Sequence, residues 1–396
     1  MQSDIPTLTN GRRPWTIYIV GGGPMGLMVA IELATMARQM GLHLIIYVYE
    51  NAAYGGGAGD WAATIASHAW LHWDGAFYVK SQPEVSVTLQ HSTRRLRELA
   101  PYAFTYPLAF TIDLEDDLPA FFEPLGVWYQ PLDEQVARRL LARCGMRLRT
   151  GAKLVRVGDA VIDTRLLGFG LMREAQRLGV RLVHHGIAAL EPQGEAIGAL
   201  RLSDGETVPV APEDHVVLAC GGRIRPLLAG AGLHLPGLRL FGSQLLAADL
   251  GLRVLFTAIQ SVSIVPHEES GGGLVNVIGN ANRRELTDEE GRRPHPDPEV
   301  TRQTRSETED LYGIRLPDTL HTWLGVKAEI TAGPGSQAHH ARRVPAVSNV
   351  WVCITGKLSQ TAACATSVSR QLLRHLIEDP VAWPIWEMLA AGRGPA

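Results

Sequence analysis

At 396 residues the chain is long enough for two to three domains of roughly 150 residues each, or for one large composite α/β unit. Hydrophobic residues make up 46% and charged residues 19%, which excludes disorder and fibrous repeats, and 37 Lys plus Arg against 40 Asp plus Glu leave a net charge of −3. No single-sign block is long enough to form a tail, so a nucleic-acid partner is not expected and a small-molecule substrate is. Cys144, Cys220, Cys353 and Cys364 are widely spaced and form no CxxC pair, which argues against a disulfide framework or a zinc module and fits a reducing cytoplasm. Residues 1–14 lack the order of a signal peptide, and no run of about 18 apolar residues suggests an integral membrane segment.

Residues 16–20 (TIYIV) are β-branched or aromatic and stop at three glycines, as a buried parallel strand does. Gly21-x-Gly23-x-x-Gly26, with Pro24 and Met25 inside it, then opens an Ala-, Leu- and Met-rich helix that Gly41 closes. A second strand, residues 44–49 (LIIYVY), ends on Glu50, which lies 24 residues beyond Gly26. Strand, glycine turn, helix, strand and acidic residue in this order predict a dinucleotide site. Gly21 permits the tight turn, Gly23 lets the backbone approach a pyrophosphate, and Gly26 lets helix and strand pack closely. The helix N-terminus offers its unpaired N–H groups to phosphate, and Glu50 accepts from ribose hydroxyls. The motif sits at the start of the chain with about 350 residues after it, which favours FAD over NAD, and an acidic residue at position 50 disfavours a 2′-phosphate.

Residues 51–75, rich in Gly, Ala and Trp, suggest a ligand-wrapping loop. Residues 161–179 predict a helix capped by Asp163 or Thr164. A strand pair is expected at 181–183 and 187–191, an apolar strand at 214–222 running into Gly221 and Gly222, and another at 349–354. A final helix is expected at 361–377. The charged stretch 283–310 reads as a mobile loop over a substrate entrance or an exposed insertion.

Taken together, GGGPMG with Glu50, SHAWLHWDGAFYVKSQPE at 67–84, VIDTRLL, HHGIAALE at 184–191, VVLACGG, the 263–289 segment, GVKAEI and ITGKLSQTAACA resemble the D-amino acid oxidase superfamily of FAD oxidoreductases. The resemblance covers most of the length, and the order of the pieces is its specific part. His72-Trp73-Asp74-Gly75-Ala76-Phe77-Tyr78 and Gly325-Val326-Lys327-Ala328-Glu329 look most similar to the 2-hydroxy-acid branch, typified by L-2-hydroxyglutarate dehydrogenase. Lys327 stands where that branch has Arg, and Lys lacks the planar fork that clamps a carboxylate. The resemblance implies that Ser67 and His68 lie near the flavin, that Ile187 offers backbone groups to adenine, and that Cys220, Gly221 and Gly222 pass near ribose and phosphates. It also implies that Gly356, Lys357, Leu358, Ser359, Gln360 and Thr361 lie beside the isoalloxazine, with the helix that Thr361 opens stabilising negative charge on reduced flavin.

Oxidation of an amine or alcohol by flavin needs positioning and, for alcohols, a base. His72 is the candidate proton acceptor or hydrogen-bond donor, and His68 a candidate for covalent flavin attachment. His68 and His72 are spaced i, i+4, but the missing HExxH glutamate and third ligand argue against a metal. Lys327, Arg283 and Arg284 are candidates to hold a substrate carboxylate, with Arg342 and Arg343 in reserve. Lys357 is a candidate for promoting reaction with oxygen. Tyr78 and His267 can line the pocket, and Trp61, Trp70 and Trp73 can wall an aromatic site or simply pack.

The expected fold is α/β: a discontinuous Rossmann-like FAD-binding domain (residues 1–85, 150–235 and 335–396) with an inserted α+β antiparallel-sheet substrate domain (86–149 and 236–334). The expected activity is FAD-dependent oxidation of a C–N or C–O bond of a small amino or hydroxy acid, or a related biosynthetic intermediate, by hydride transfer to flavin N5. O2 or a quinone or carrier would accept the electrons. The alternatives are a flavin-hydroperoxide monooxygenase and a flavin-binding protein without turnover.

Overall fold

The computed structural model describes residues 14–51, 70–71, 80, 83–106, 108–147, 151–258, 261–268, 273–280, 282–331, 340–355 and 357–377. The expected positions Trp61, Ser67, His68, His72, Trp73, Tyr78 and Gly356 lie outside the described residues.

The strand Trp15–Val20 is buried along all but its first residue, because a parallel strand at the centre of a covered sheet meets side chains on both faces. It pairs in parallel with Leu44–Tyr49 on one side and His215–Leu218 on the other. The described residues form a six-stranded sheet in the order 340–343, 350–354, 215–218, 15–20, 44–49, 181–183, parallel except for its first strand. Ile17 and Ile19 point toward a helical layer in which Pro24–Gln39 contributes Leu27 and Ile31, Thr164–Arg177 contributes Leu167 and Leu171, and Thr361–Leu376 contributes Val368 and Leu372. Tyr18 and Val20 point the other way, into a second core with Leu190, Leu200 and Val216. Of the two expected caps of the middle helix, Asp163 holds the position, its carboxylate accepting from the amides of Arg165 and Leu166.

Two expectations change. Segments 181–183 and 187–191 do not pair with each other: Arg181–Val183 is an edge of the parallel sheet, whereas Ile187–Gln193 turns back on Ala196–Leu202 in a three-stranded antiparallel ribbon. Asn349 fixes that ribbon to the sheet, accepting from the Ile197 amide at 2.8 Å and donating to the Ile197 carbonyl at 3.0 Å. The stretch 283–310 is ordered as the strand Arg284–Leu286 and the helices Asp288–Arg292 and Pro298–Tyr312, because Thr287 and Glu290 form a capping box and Asp297 caps the longer helix.

A second, nine-stranded sheet runs in the order 284–286, 238–248, 274–279, 263–268, 255–258, 109–113, 153–157, 129–131, with His321–Ile330 also paired along Leu238–Ala248. Its pairings are antiparallel except where Leu255–Ala258 joins Ala109–Asp113. Buried Asn276 pins a turn beside it by accepting from the amides of Leu250 and Leu252 and donating to the Leu252 carbonyl. Among the described residues no helix is long and apolar enough to cross a membrane.

His215, 4% exposed, opens the strand His215–Leu218 of the parallel sheet, with its Nδ1 accepting from the Trp351 indole at 3.3 Å and its ring 5.4 Å from that of His375. Burial, reinforced by His375, pushes this imidazole down to about 4. A group whose folded pKa lies below its unfolded value of about 6.5 binds more protons when unfolded, so the stability it contributes is lost as pH falls from about 6.5 toward 4. Denaturant unfolding is expected to lose about 3 kcal/mol from this group between pH 7 and pH 4. His215→Gln should remove that portion of the slope, measured as the difference between the two pH profiles.

Candidate functional site

The C-terminal ends of three neighbouring parallel strands converge on the glycine turn. Gly21 has φ +107°, and a Cβ there would lie 2.8 Å from the Cα of Cys220 and 2.9 Å from the carbonyl oxygen of Ala219. A Cβ on Gly26 would stand 1.8 Å from the Gly21 carbonyl oxygen. A Cβ on Gly23 would meet nothing within 4 Å. Gly21 and Gly26 are thus glycines because the protein occupies their side-chain space, and Gly23 is a glycine facing open space.

Gly23 is the N-cap of the helix Pro24–Gln39, with no side-chain cap and no acidic residue in the first turn, so its amide end is available to an anion. Met25, beside Pro24 in that first turn, packs against the helical core. Glu50 follows the second strand and its Oε2 accepts from the Gly22 amide at 2.7 Å, which lays a carboxylate across the turn.

Gly221 and Gly222 lie in the 3-10 turn Gly221–Arg223 that follows the third strand, and Gly221 adopts φ +55°. The Cys220 thiol is pushed up to about 12, chiefly by burial, so it stays protonated and is not a nucleophile. Ile187 is buried at the start of the ribbon, opposite Leu202.

At the far side of the sheet, Lys357 precedes the 3-10 turn Leu358–Gln360, and Thr361 begins the last helix. Ser359, Gln360 and Thr361 are each 1% exposed, and neither Ser359 Oγ nor Gln360 Oε1 has a hydrogen-bond partner among the described residues. Buried polar atoms are rarely left so, and these two lie in the segment expected beside a ligand. The amides of Ala362 and Ala363 donate to Ser92 Oγ, at 3.0 and 3.3 Å. Part of this helix end is therefore capped by the helix Pro83–Leu99 rather than left open to a cofactor, a contact between distant segments that local sequence does not announce.

The structure brings three of the predicted cations together. Lys327 and Glu329 alternate with Ala328 on one strand and so share a face. They lie in register with Phe241 and Arg239 of the neighbouring strand. Lys327 Nζ is 3.0 Å from Glu329 Oε1, Arg283 Nη2 is 2.6 Å from Glu329 Oε2, and the Arg283 guanidinium lies 3.8 Å from the Phe241 ring centroid. Glu329 is only 3% exposed. Lys357 reaches the same group of charges from the parallel sheet, and burial brings both lysines down to about 8; each is lowered further by a neighbouring cation and partly restored by Glu329. Val326 lies beside Gly222, so the cluster stands where the two sheets meet.

Other candidates fall elsewhere. Arg284, exposed, pairs with Glu290. Arg342 and Arg343 lie on the edge strand His340–Arg343. His267 is half-buried in the strand Ser263–Glu268, opposite Val275. Trp70 belongs to a short strand paired with Ala160–Ile162. Among the described residues no group of His, Cys, Asp or Glu is arranged to hold a metal ion. Glu329 was absent from the sequence candidates, although its i, i+2 spacing from Lys327 on a strand was a usable signal.

The family model for FAD-dependent oxidoreductases of the D-amino acid oxidase type matches residues 16–366. The chain belongs to this family. It is an FAD-dependent oxidoreductase. Its fold is similar to glycine oxidase from Geobacillus kaustophilus (19% identity, 92% of this chain and 95% of that one, TM-score 0.61) and to NikD, described as an unusual amino acid oxidase (17%, 93% and 95%, 0.66). It is also similar to L-proline dehydrogenase from P. horikoshii (14%, 94% and 96%, 0.62). No curated protein matches the chain.

The glycine turn, the uncapped helix end and the unpartnered polar atoms of the 359–360 turn fit FAD. Gly23→Val is expected to leave the fold intact, since a Cβ there meets no protein atom within 4 Å, while lowering FAD retention at least tenfold. Gly26→Ala should instead destabilise the protein by several kcal/mol through its clash with the Gly21 carbonyl. Flavin absorbance after gel filtration, together with thermal unfolding of each variant, separates the two effects.

Proposed function

We propose that this enzyme oxidises the C–N or C–O bond adjacent to a carboxylate in a small amino or hydroxy acid, by hydride transfer to N5 of FAD. Bound FAD supplies the two-electron acceptor. Gly21, Gly23 and Gly26 with the helix end at Pro24 and Met25 cradle the pyrophosphate, Glu50 takes the ribose hydroxyls, and Cys220, Gly221 and Gly222 pass beside them. The turn from Lys357 through Leu358, Ser359 and Gln360 to Thr361 lies along the isoalloxazine.

The observation that carries the substrate reading is the group of three cations, Lys327, Arg283 and Lys357, around one buried carboxylate at the junction of the two sheets. Those cations hold and orient the substrate carboxylate, which sets the adjacent C–H toward the acceptor. Oxidases and a dehydrogenase of amino acids among proteins of the same fold support an amino acid over a hydroxy acid. The discontinuous two-domain division belongs to the same reading, as does a cytoplasmic location, which is supported by four cysteines without disulfides.

Anaerobic mixing with a panel of amino and hydroxy acids, while the flavin band near roughly 450 nm is followed, tests the proposal. Bleaching by one carboxylate-bearing member supports it; bleaching only by reduced nicotinamide overturns it. Reoxidation on admitting air identifies an oxidase, and reoxidation only by a quinone or carrier identifies a dehydrogenase.

Both lysines are protonated below about pH 8 and lose their charge above it. The KM for the anionic substrate is therefore expected to rise as pH increases through 8. Lys327→Met should raise KM at least tenfold at pH 7 and flatten part of that rise, measured by steady-state kinetics from pH 6 to 10.

A further inference from the structure

We propose that Glu329 is the built-in counter-ion of the substrate subsite, a positioning residue that clamps Lys327 and Arg283 side by side and keeps the three-cation cluster charged. The inference rests on the carboxylate-binding role given to these cations above.

Three cations crowded into a desolvated junction repel one another, and burial adds a cost to every charge. Arginine cannot shed its proton, so lysines are the groups that would neutralise. A site in that state would hold an anion through Arg283 alone. Glu329 opposes this outcome. Its carboxylate is almost wholly buried, contacts Lys327 with one oxygen at 3.0 Å and Arg283 with the other at 2.6 Å, and favours the charged form of both lysines.

The other charged groups on this face do not replace it. Arg239, in register opposite Glu329, forms its own pair with Glu285 at 2.8 Å, and both are about half exposed. Arg284 turns to Glu290. Among the described residues the cluster holds the cations Arg283, Lys327 and Lys357, and Glu329 is an anion set between two of them. Phe241 gives the Arg283 guanidinium a second contact, 3.8 Å from its ring centroid, which helps hold that partner beside the carboxylate.

The test uses holoenzyme and its Glu329→Gln variant, which keeps shape and removes charge. Trace acylation by acetic anhydride between pH 6 and 10, with the Lys327 peptide quantified by mass spectrometry, reads the titration of this ammonium without reference to turnover. Losing an opposite charge at this distance lowers a lysine pKa by about one unit or more, so Lys327, which starts at about 8, should be acylated about fivefold faster at pH 7 in the variant. Glu329→Asp should stay close to wild type. Calorimetric titration with acetate should show binding that weakens above pH 8 in wild type and about one pH unit lower in Glu329→Gln.

Unchanged Lys327 reactivity in a folded, flavin-bound Glu329→Gln protein overturns the proposal. If that variant does not fold, Arg283→Gln supplies the test, because Glu329 is then left to Lys327 alone and acylation at pH 7 should fall several-fold; no change there overturns it equally. Acetate failing to bind wild type at any pH, while the acylation shift occurs as expected, would remove the carboxylate-binding role and leave the counter-ion role standing.

Discussion

The approach of Gly26 to the Gly21 carbonyl is the contact on which the arrangement depends. The helix Pro24–Gln39 can descend across the sheet at this angle only because the space for a Cβ at 26 is filled by backbone, and the strand can turn there only because Gly21 adopts a positive φ against Cys220. Any side chain at either place would push the helix from Ile17 and Ile19 and open the core it shares with the last helix. The same closeness brings the ends of three strands together, so Glu50, Gly23 and Gly222 become neighbours of one turn although they are far apart in sequence.

Two sheets then meet over that turn, and their meeting creates the electrostatic problem of the site. Lys357 comes from the loop after the strand Val350–Ile354, whereas Lys327, Glu329 and Arg283 come from the nine-stranded sheet. Removing water from this junction strengthens the hold of the cations on an anion and at the same time makes their charge harder to keep. A buried carboxylate among them reconciles the two demands, and Ser92 serves the neighbouring helix end in a comparable way by satisfying the amides of Ala362 and Ala363.

Where local rules operate alone, sequence and structure agree closely. The run at 16–20, the glycine spacing, the strand ending at Glu50 and the Asp163 cap are each specified within a few residues. Of the two expectations for 283–310, a mobile loop and an exposed insertion, the structure departs from the first, because the capping box at Thr287 and the Asp297 cap fold the stretch into helices. Segments 181–183 and 187–191 read as a pair because adjacent strands usually pair, yet after a three-residue link the second leaves the parallel sheet and pairs with Ala196–Leu202 instead. Arg283 and Arg284 are indistinguishable as neighbours in the chain; in the fold Arg283, just before the strand Arg284–Leu286, meets Glu329, whereas Arg284 pairs with Glu290.

The sequence by itself determined the dinucleotide turn and the α/β class, and it nominated six cations as candidates, because these depend on spacing, glycine conformation and residue chemistry carried within short segments. Only the tertiary structure decided which cations share a site, which acid stands between them and which helix end is capped. Those outcomes depend on contacts between residues hundreds of positions apart, such as Ser92 with Ala362, and on the loss of water where two sheets close. Desolvation is a property of the assembled fold, and no local pattern of residues encodes it.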